Sequence, residues 1–149
     1  MNTDYPQDVF SARREIIQTQ FPWLGRKWTF GYGWDLLLLN MAIEVESDIR
    51  KGKYTEDEVR MGAIHEIGGC LVFITKDYAK LGMQPVPLLQ ASQRSAQVCE
   101  VCGEDGRRLI KFDWRYAACE RHTLPDSYTL AEWLKQRDEV GRELMARLP

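Results

Sequence analysis

The residues Cys99-Glu100-Val101-Cys102-Gly103 are followed, sixteen residues counted from Gly103, by Cys119-Glu120-Arg121-His122, and this spacing decides how the chain is read. Zinc takes four tetrahedral ligands from thiolate sulfur and imidazole nitrogen, and structural sites commonly supply them as two close pairs. A two-residue gap lets both side chains of a pair reach one ion from a single tight turn. Gly103 suits the positive φ that such a turn often needs. Two pairs at this separation are far more specific than one Cys-x-x-Cys. They assign one structural Zn2+ to Cys99, Cys102, Cys119 and His122, which would contribute about 10–16 kcal/mol to folding of the module.

Competing explanations account for less. A disulfide framework suits small secreted chains, whereas residues 1–30 show no charged segment followed by an apolar export core. A redox pair would use Cys99 and Cys102 and leave Cys119 and His122 idle. A catalytic zinc keeps a position open for water, and three thiolates with one imidazole fill the shell. Cys70, 29 residues before Cys99, reads as a small buried hydrophobe rather than a ligand.

The 149 residues suffice for one ordinary core with a small appended module. A 44% apolar and 28% charged composition is that of a soluble globular protein. A net charge of −2 argues against binding driven by general phosphate attraction. No apolar run approaches the roughly 20 residues of a membrane span. Reduced cysteines and no export signal lead to an expected location in the cytoplasm, that of a bacterial host under the resemblance given below.

Outward from the cysteines, the remaining chain reads mainly as helix. Asp4 and Pro6 would start a first helix whose core stripe is Val9, Ala12 and Ile16, flanked by Phe10 and Ile17, and Phe21-Pro22-Trp23 ends it. The cluster Trp28-Thr29-Phe30-Gly31-Tyr32-Gly33-Trp34 is a tight turn, and Asp35 is placed to cap the next helix. Trp23, Trp28 and Trp34 read as core packing in preference to a ligand pocket. Trp34, Leu38, Met41, Val45 and Ile49 recur at helical spacing, and Gly52 stops that helix. Thr55 and Glu58 make a capping box, so residues 55–67 would suit a short helix. Gly68-Gly69 before Cys70-Leu-Val-Phe-Ile-Thr75 instead reads as a hairpin, facing His65 to Val72 and Ile64 to Phe73. We take the hairpin.

His65-Glu66 lacks the second histidine of a metalloprotease helix, because position 69 is glycine. It lacks the His-x-Glu of a zinc deaminase, because position 67 is isoleucine. Pro85 and Pro87 open a third helix through Leu88, Leu89, Ser92 and Ala96. Leu109–Phe112 and Trp114–Ala118 form a short hairpin that returns Cys119 and His122 to the metal. Thr129 and Glu132 box the last helix, whose face of Leu130, Trp133, Leu134, Val140, Leu144 and Met145 docks on the zinc module or serves a partner, docking being preferred. The expected fold is α+β: helices packed on a small β-hairpin (1–85), a zinc module of knuckle plus hairpin (86–123) and a C-terminal amphipathic helix (124–149).

Gly31-Tyr-Gly-Trp34, Glu66-Ile-Gly-Gly-Cys-Leu-Val-Phe73, Arg94-Ser95, Cys99-Glu-Val-Cys-Gly-Glu-Asp-Gly106 and Trp114-Arg-Tyr-Ala-Ala-Cys-Glu-Arg-His122 occur in that order. Over about residues 20–123 this resembles a group of small uncharacterised zinc-finger proteins encoded by phages and prophages. Its members carry a Gly-Asp-Gly-Trp turn, a Lys-Glu-Lys-Phe-Gly-Gly-Leu-Arg-Phe segment and a terminal CxxCG, Trp and CxxH. The resemblance implies the same four ligands here and a mobile-element origin, and it brings no established activity. Tyr32 replaces the usual acidic residue, and Ile64-His65 with Ile67 replace basic positions.

Two functions fit. The first is a non-enzymatic protein that binds a host or phage protein, as an adaptor or inhibitor, including counter-defence. The second is a nucleic-acid-binding regulator using Arg107, Arg108, Lys111, Arg115 and Arg121 with Phe112, Trp114 and Tyr116. Residues 94–122 hold six Lys/Arg against five Asp/Glu, which favours the first. Arg107, Arg108, Lys111, Trp114 and Arg115 are the candidate partner-binding residues, and neither a membrane nor a small-molecule substrate is expected. A ββα-metal nuclease would need a histidine base and further ligands that the sequence does not offer, so an enzyme is not expected.

Overall fold

A computed structural model of the chain describes residues 7–76 and 84–148. It is α+β, with five α-helices and two three-stranded sheets among the described residues. The helices are α1 (Gln7–Gln20), α2 (Asp35–Arg50), α3 (Glu56–Val59), α4 (Val86–Ser95) and α5 (Leu130–Ala146). The strands are β1 (Trp28–Thr29), β2 (Met61–Ile67), β3 (Cys70–Thr75), β4 (Arg107–Lys111), β5 (Trp114–Ala118) and β6 (Tyr128–Thr129).

The Gly68-Gly69 turn forms the expected hairpin. Both glycines take positive φ, 61° and 81°, as a tight two-residue connection between twisted strands requires. Its register pairs Ile64 with Phe73 and His65 with Val72. The Thr55–Glu58 capping box is also present, but its helix ends at Val59 and the strand begins at Met61. Both readings of this stretch therefore hold for different residues. His65 is a half-buried strand residue hydrogen-bonded to Thr29, whose strand β1 adds in parallel beside β2.

The main core lies between this sheet and α2. Trp34, Leu38, Met41, Ala42 and Val45 are buried in it, with Trp23, Leu24, Ile64, Leu71 and Phe73. Trp23 and Trp34 are thus core residues, 1% and 0% exposed. Helix α4 belongs to the same core through Leu88 and Ala91, whereas Leu89 faces outward. Ser95 donates nothing to the sheet but accepts from the Leu71 N–H (2.8 Å), and Ser92 donates to the Leu71 carbonyl (2.6 Å). The helix thereby satisfies backbone groups on the free edge of β3, which would otherwise invite pairing with another chain.

Helix α1 buries a different stripe from the one expected. Its inward residue is Ile17, and Val9, Ala12 and Ile16 are exposed. The inward positions beside Ile17 are taken by Arg13 and Arg14. Arg14 donates from Nε and Nη2 to the carboxylate of Asp35, at 2.7 Å for the shortest contact, and its guanidinium packs over the rings of Phe30 and Tyr32. A period-based reading discards arginines from a core stripe, and here the acid on α2 reverses that choice. Asp35 therefore does not cap α2; it is the first helical residue and is fully buried against Arg14. Burial raises its pKa above the ordinary carboxylate value, and the Arg14 hydrogen bonds and charge pull it back. The expected roles of Asp4 and Pro6 lie outside the described residues.

The second sheet has the order β5-β4-β6. The predicted hairpin is present, with Lys111 paired to Trp114 across a Phe112-Asp113 turn. Strand β6 adds to the other edge of β4, pairing Thr129 with Leu109, and leads into α5. The preferred docking of α5 on this module is realised only in part: the helix meets β4 and half-buries Trp133, but no residue of it is fully buried, and Val140, Leu144 and Met145 are exposed. No described helix is long and apolar enough to cross a membrane.

Candidate metal centre

Two turns deliver the four donors. In the first, the Cys99 carbonyl accepts from the Gly103 N–H (2.9 Å) and the Cys99 N–H donates to the Glu104 carbonyl (2.8 Å). Gly103 sits at φ +81°, the left-handed backbone foreseen for it. In the second, Cys119 precedes a 3-10 turn over Glu120–His122, and the His122 N–H donates back to the Cys119 carbonyl. Strands β4 and β5 bring the turns together, as their spacing required.

The donor atoms of Cys99, Cys102, Cys119 and His122 all lie within 4.8 Å of one another. Cys102 Sγ is 3.7 Å from Cys119 Sγ, and His122 Nδ1 is 3.2 Å from Cys119 Sγ and 3.5 Å from Cys99 Sγ. A tetrahedron with metal–sulfur bonds near 2.3 Å and a metal–nitrogen bond near 2.0 Å has edges of about 3.5–3.8 Å. The cluster can therefore hold one four-coordinate metal ion. Cys99 is buried completely and Cys119 nearly so, and a small apolar cluster of Leu109, Tyr116 and Ala118 backs them. Burial pushes the Cys102 thiol up to about 11, against a hydrogen bond from the Glu104 N–H. Burial acts the same way on Cys119, but the N–H groups of His122 and Arg121 and the neighbouring thiols bring it below the ordinary thiol value. Backbone donors aimed at sulfur favour thiolate, the form that ligates metal. Cys70 stands apart from the cluster, and at the start of β3 it is half-buried rather than the buried hydrophobe expected.

The first ligand turn is mated to the main core through the Gly31–Trp34 stretch. The Gly33 N–H donates to the Glu100 carbonyl (2.8 Å), the Gly31 N–H to the Glu100 carboxylate (2.8 Å), and the Trp34 indole to the Val98 carbonyl (2.8 Å). A Cβ on Gly33 would lie 2.2 Å from the Cys99 carbonyl oxygen, so the backbones meet where no side chain fits. Burial raises the pKa of Glu100, opposed by the Gly31 N–H and reinforced by the charge of Glu66. The Gly68-Gly69 turn meets the other side of the module, where Arg108 Nε donates to the Gly68 carbonyl (2.7 Å). The glycine signatures that the sequence displays far from the cysteines are thus the surfaces on which the cysteine module rests. Their spacing along the chain gave no sign of this.

The candidate partner-binding residues separate. Alternation along β4 and β5 puts Arg107, Lys111 and Trp114 on the sheet face that carries Leu109 and Tyr116. Arg108 and Arg115 fall on the opposite face with Ala117, which belongs to the main core. Arg108 is engaged with Gly68, while Arg107, Trp114 and Arg115 are exposed. Tyr116 is buried, and its hydroxyl accepts from the Leu124 N–H (2.9 Å) and bonds Ser127, so its ring is not free to stack on a base. Phe112 is 85% exposed at the hairpin tip with φ +54°. Phe112, Trp114, Lys111 and Leu124 line a shallow, mostly apolar depression. Leu124 was not foreseen in this role, because nothing in its local sequence places it beside the hairpin tip.

No family model matches this chain, and no curated protein or solved structure is significantly similar to it.

Proposed function

We propose that this is a zinc-stapled protein of phage or prophage type that acts without catalysis, by presenting the Phe112 hairpin tip to a protein of the bacterial host or of the phage. The ion assigned to Cys99, Cys102, Cys119 and His122 is Zn2+, because three thiolates and one imidazole form a tetrahedral set that suits it and fill every position. Such an ion fixes the hairpin; a substrate has no ligand site on it.

The observation that carries the reading is Phe112. A bulky side chain in left-handed backbone costs about 1–2 kcal/mol relative to glycine-compatible conformations. Here that cost supports a ring held in water, with Trp114 stacked on Tyr116 behind it. Aromatic anchors that insert into a pocket of the partner are the usual high-energy contacts of protein interfaces. A strained, solvent-exposed phenylalanine at the tip of a metal-braced hairpin suits that role. The depression beside it gives room for one apolar side chain in return.

Nucleic-acid binding is the weaker reading. The basic residues of β4 and β5 are divided between two faces, Arg108 is committed to the core, and Tyr116 is buried. A phosphate backbone needs its cations along one track. Counter-defence or redirection of a host machine would both use a protein-directed hairpin, acting in the host cytoplasm.

The test is affinity capture of the tagged full chain from bacterial lysate at moderate salt, with and without nuclease, followed by mass spectrometry and metal analysis. The expected outcome is one zinc per chain and one stoichiometric protein that survives nuclease and is lost in Phe112→Ser. Recovery of nucleic acid, with proteins that vanish on nuclease treatment, would replace this reading by the regulator. A purified chain without zinc would remove its foundation.

A further inference from the structure

We infer that Cys102 is a site of oxidation by hydroperoxides, that Cys119 closes a disulfide on it, and that this bond expels the metal and loosens the module from the main core. This rests on the assignment of Zn2+ to the Cys/His cluster and concerns the regulation of that same site.

Burial separates the three ligand thiols. Cys99 is 0% exposed and Cys119 is 6% exposed. Cys102 is only half-buried, in a turn whose residues Val101, Gly103, Glu104 and Asp105 are exposed. The Cys99 side of the turn faces the core, where Gly33 lies against the Cys99 carbonyl and against Gly103. A small oxidant arriving from water therefore meets Cys102 first. Sulfurs that ligate a metal are thiolates, and the thiolate is the form that attacks a peroxide.

The second requirement is a thiolate in place to hold the reaction at a reversible stage. A sulfenic acid beside another thiol condenses to a disulfide, whereas an isolated one goes on to irreversible acids. Cys119 Sγ stands 3.7 Å from Cys102 Sγ, in van der Waals contact, and belongs to the other turn of the cluster. The Cys102 thiolate attacks one oxygen of the hydroperoxide, the O–O bond breaks, and hydroxide or alkoxide leaves. The Cys119 thiolate then attacks Cys102 Sγ, the S–S bond forms, the S–O bond breaks, and hydroxide leaves. The two sulfurs lose two electrons in all, and the peroxide oxygens gain them.

Two of the four donors are thereby consumed. Cys99 Sγ and His122 Nδ1 remain, 3.5 Å apart. Two ligands do not complete the tetrahedral shell of a structural site, so the metal leaves. Cys99, now without metal, is the residue whose carbonyl lies against Gly33, and the turn that carries it is held from Cys102 instead. The seat that Gly31, Gly33 and Trp34 make on Glu100 and Val98 loosens in consequence. A dithiol reductant with zinc reverses the change, because the disulfide returns to two thiols as the reductant forms its own disulfide.

The experiment treats the zinc-loaded full chain, freed of reductant, with hydrogen peroxide. Zinc release is followed with a chromophoric chelator against a sample without peroxide. The products are mapped by mass spectrometry after digestion with trypsin and a glutamate-specific protease. Glu100 lies between Cys99 and Cys102, and Arg107 and Arg108 precede Cys119, so each ligand cysteine falls in its own peptide. The expected result is a Cys102–Cys119 disulfide that forms in step with zinc release. Amide exchange over residues 31–34 should quicken in the oxidised chain, and a dithiol with zinc should restore both. Cys102→His keeps four donors without the accessible thiol, so it should hold zinc and lose the peroxide-dependent release. The map of the parent chain decides even if that variant does not fold. A disulfide at Cys99 or Cys70, sulfinic acid at Cys102, zinc release without a disulfide, unchanged exchange over residues 31–34, or release from Cys102→His as fast as from the parent would each overturn the inference. Metal analysis before peroxide is added separates two failures. A chain without zinc removes this inference together with the zinc assignment, whereas a zinc-loaded chain oxidised elsewhere removes only the switch.

Discussion

The two sides of the Cys/His module are built from opposite choices. On the inner side, Gly31, Gly33, Gly68 and Gly69 bring backbone against backbone, and carbonyls of the module and of the hairpin turn accept from Gly33, Trp34 and Arg108. On the outer side, Phe112, Trp114 and the length of α5 carry large side chains into solvent. The inner contact tolerates almost no added volume, and the outer one is volume without a partner. Glycine marks the inner contact and large apolar side chains mark the outer surface, so hydrophobicity alone does not identify what is packed here.

Metal removal should break this contrast most severely. Without the ion, three cysteines and a histidine no longer close the module, and the docked Gly31–Trp34 turn loses its counterpart. Chelation, or Cys119→Ser, should abolish the cooperative unfolding transition of the main core as well as the module, consistent with about 10–16 kcal/mol from a structural zinc. Thermal denaturation monitored at the buried Trp23 and Trp34 reads this directly. A core that melts unchanged after complete chelation would show that the two parts fold separately.

Asp35→Ala comes next. It leaves the Arg14 guanidinium buried without its carboxylate, and breaking such a pair costs about 3–5 kcal/mol. Urea titration should show the midpoint falling sharply, while Glu44→Ala, on the exposed face of the same helix, changes it little. Equal midpoints for the parent and Asp35→Ala would remove Arg14 from the core.

Gly33→Ala tests the close approach itself. The new Cβ would stand 2.2 Å from the Cys99 carbonyl, so the module must shift, at about 1–3 kcal/mol for an overpacked contact. Zinc affinity should fall in the same variant, because the displaced residue is a ligand. The readout is competition with a chromophoric chelator.

Phe112→Gly is the smallest effect and the one of opposite sign. Relief of the left-handed strain should leave stability equal or raise it by about 1 kcal/mol, while capture of the partner is lost. Stability falling with capture would make Phe112 an ordinary packing residue.

Much of the arrangement was legible. Cys99, Cys102, Cys119 and His122 announced their cluster because ligand spacing is a local constraint imposed by one ion. The Gly68-Gly69 turn announced its hairpin and register, because a two-residue connection leaves the facing residues no freedom. The α2 stripe was legible because one helix face buries at every turn. Helix α1 was misread at Val9, Ala12 and Ile16, because the attraction holding Arg14 inside comes from Asp35, 21 residues away. Strands β1 and β6 are two residues each, too short for a period to show.

The sequence by itself determined the two halves of the Cys/His cluster, the hairpin turns and the buried stripe of α2, since each depends on residues within a turn or two of one another. Only the tertiary structure decided that the glycine-rich turn is the seat of the first cysteine pair, that Asp35 serves Arg14 rather than a helix cap, and that α5 leaves Val140, Leu144 and Met145 in solvent. Those outcomes depend on which surfaces meet across tens of residues. No local pattern carries that information, because the same glycine, acid or leucine satisfies its own backbone equally well in either arrangement.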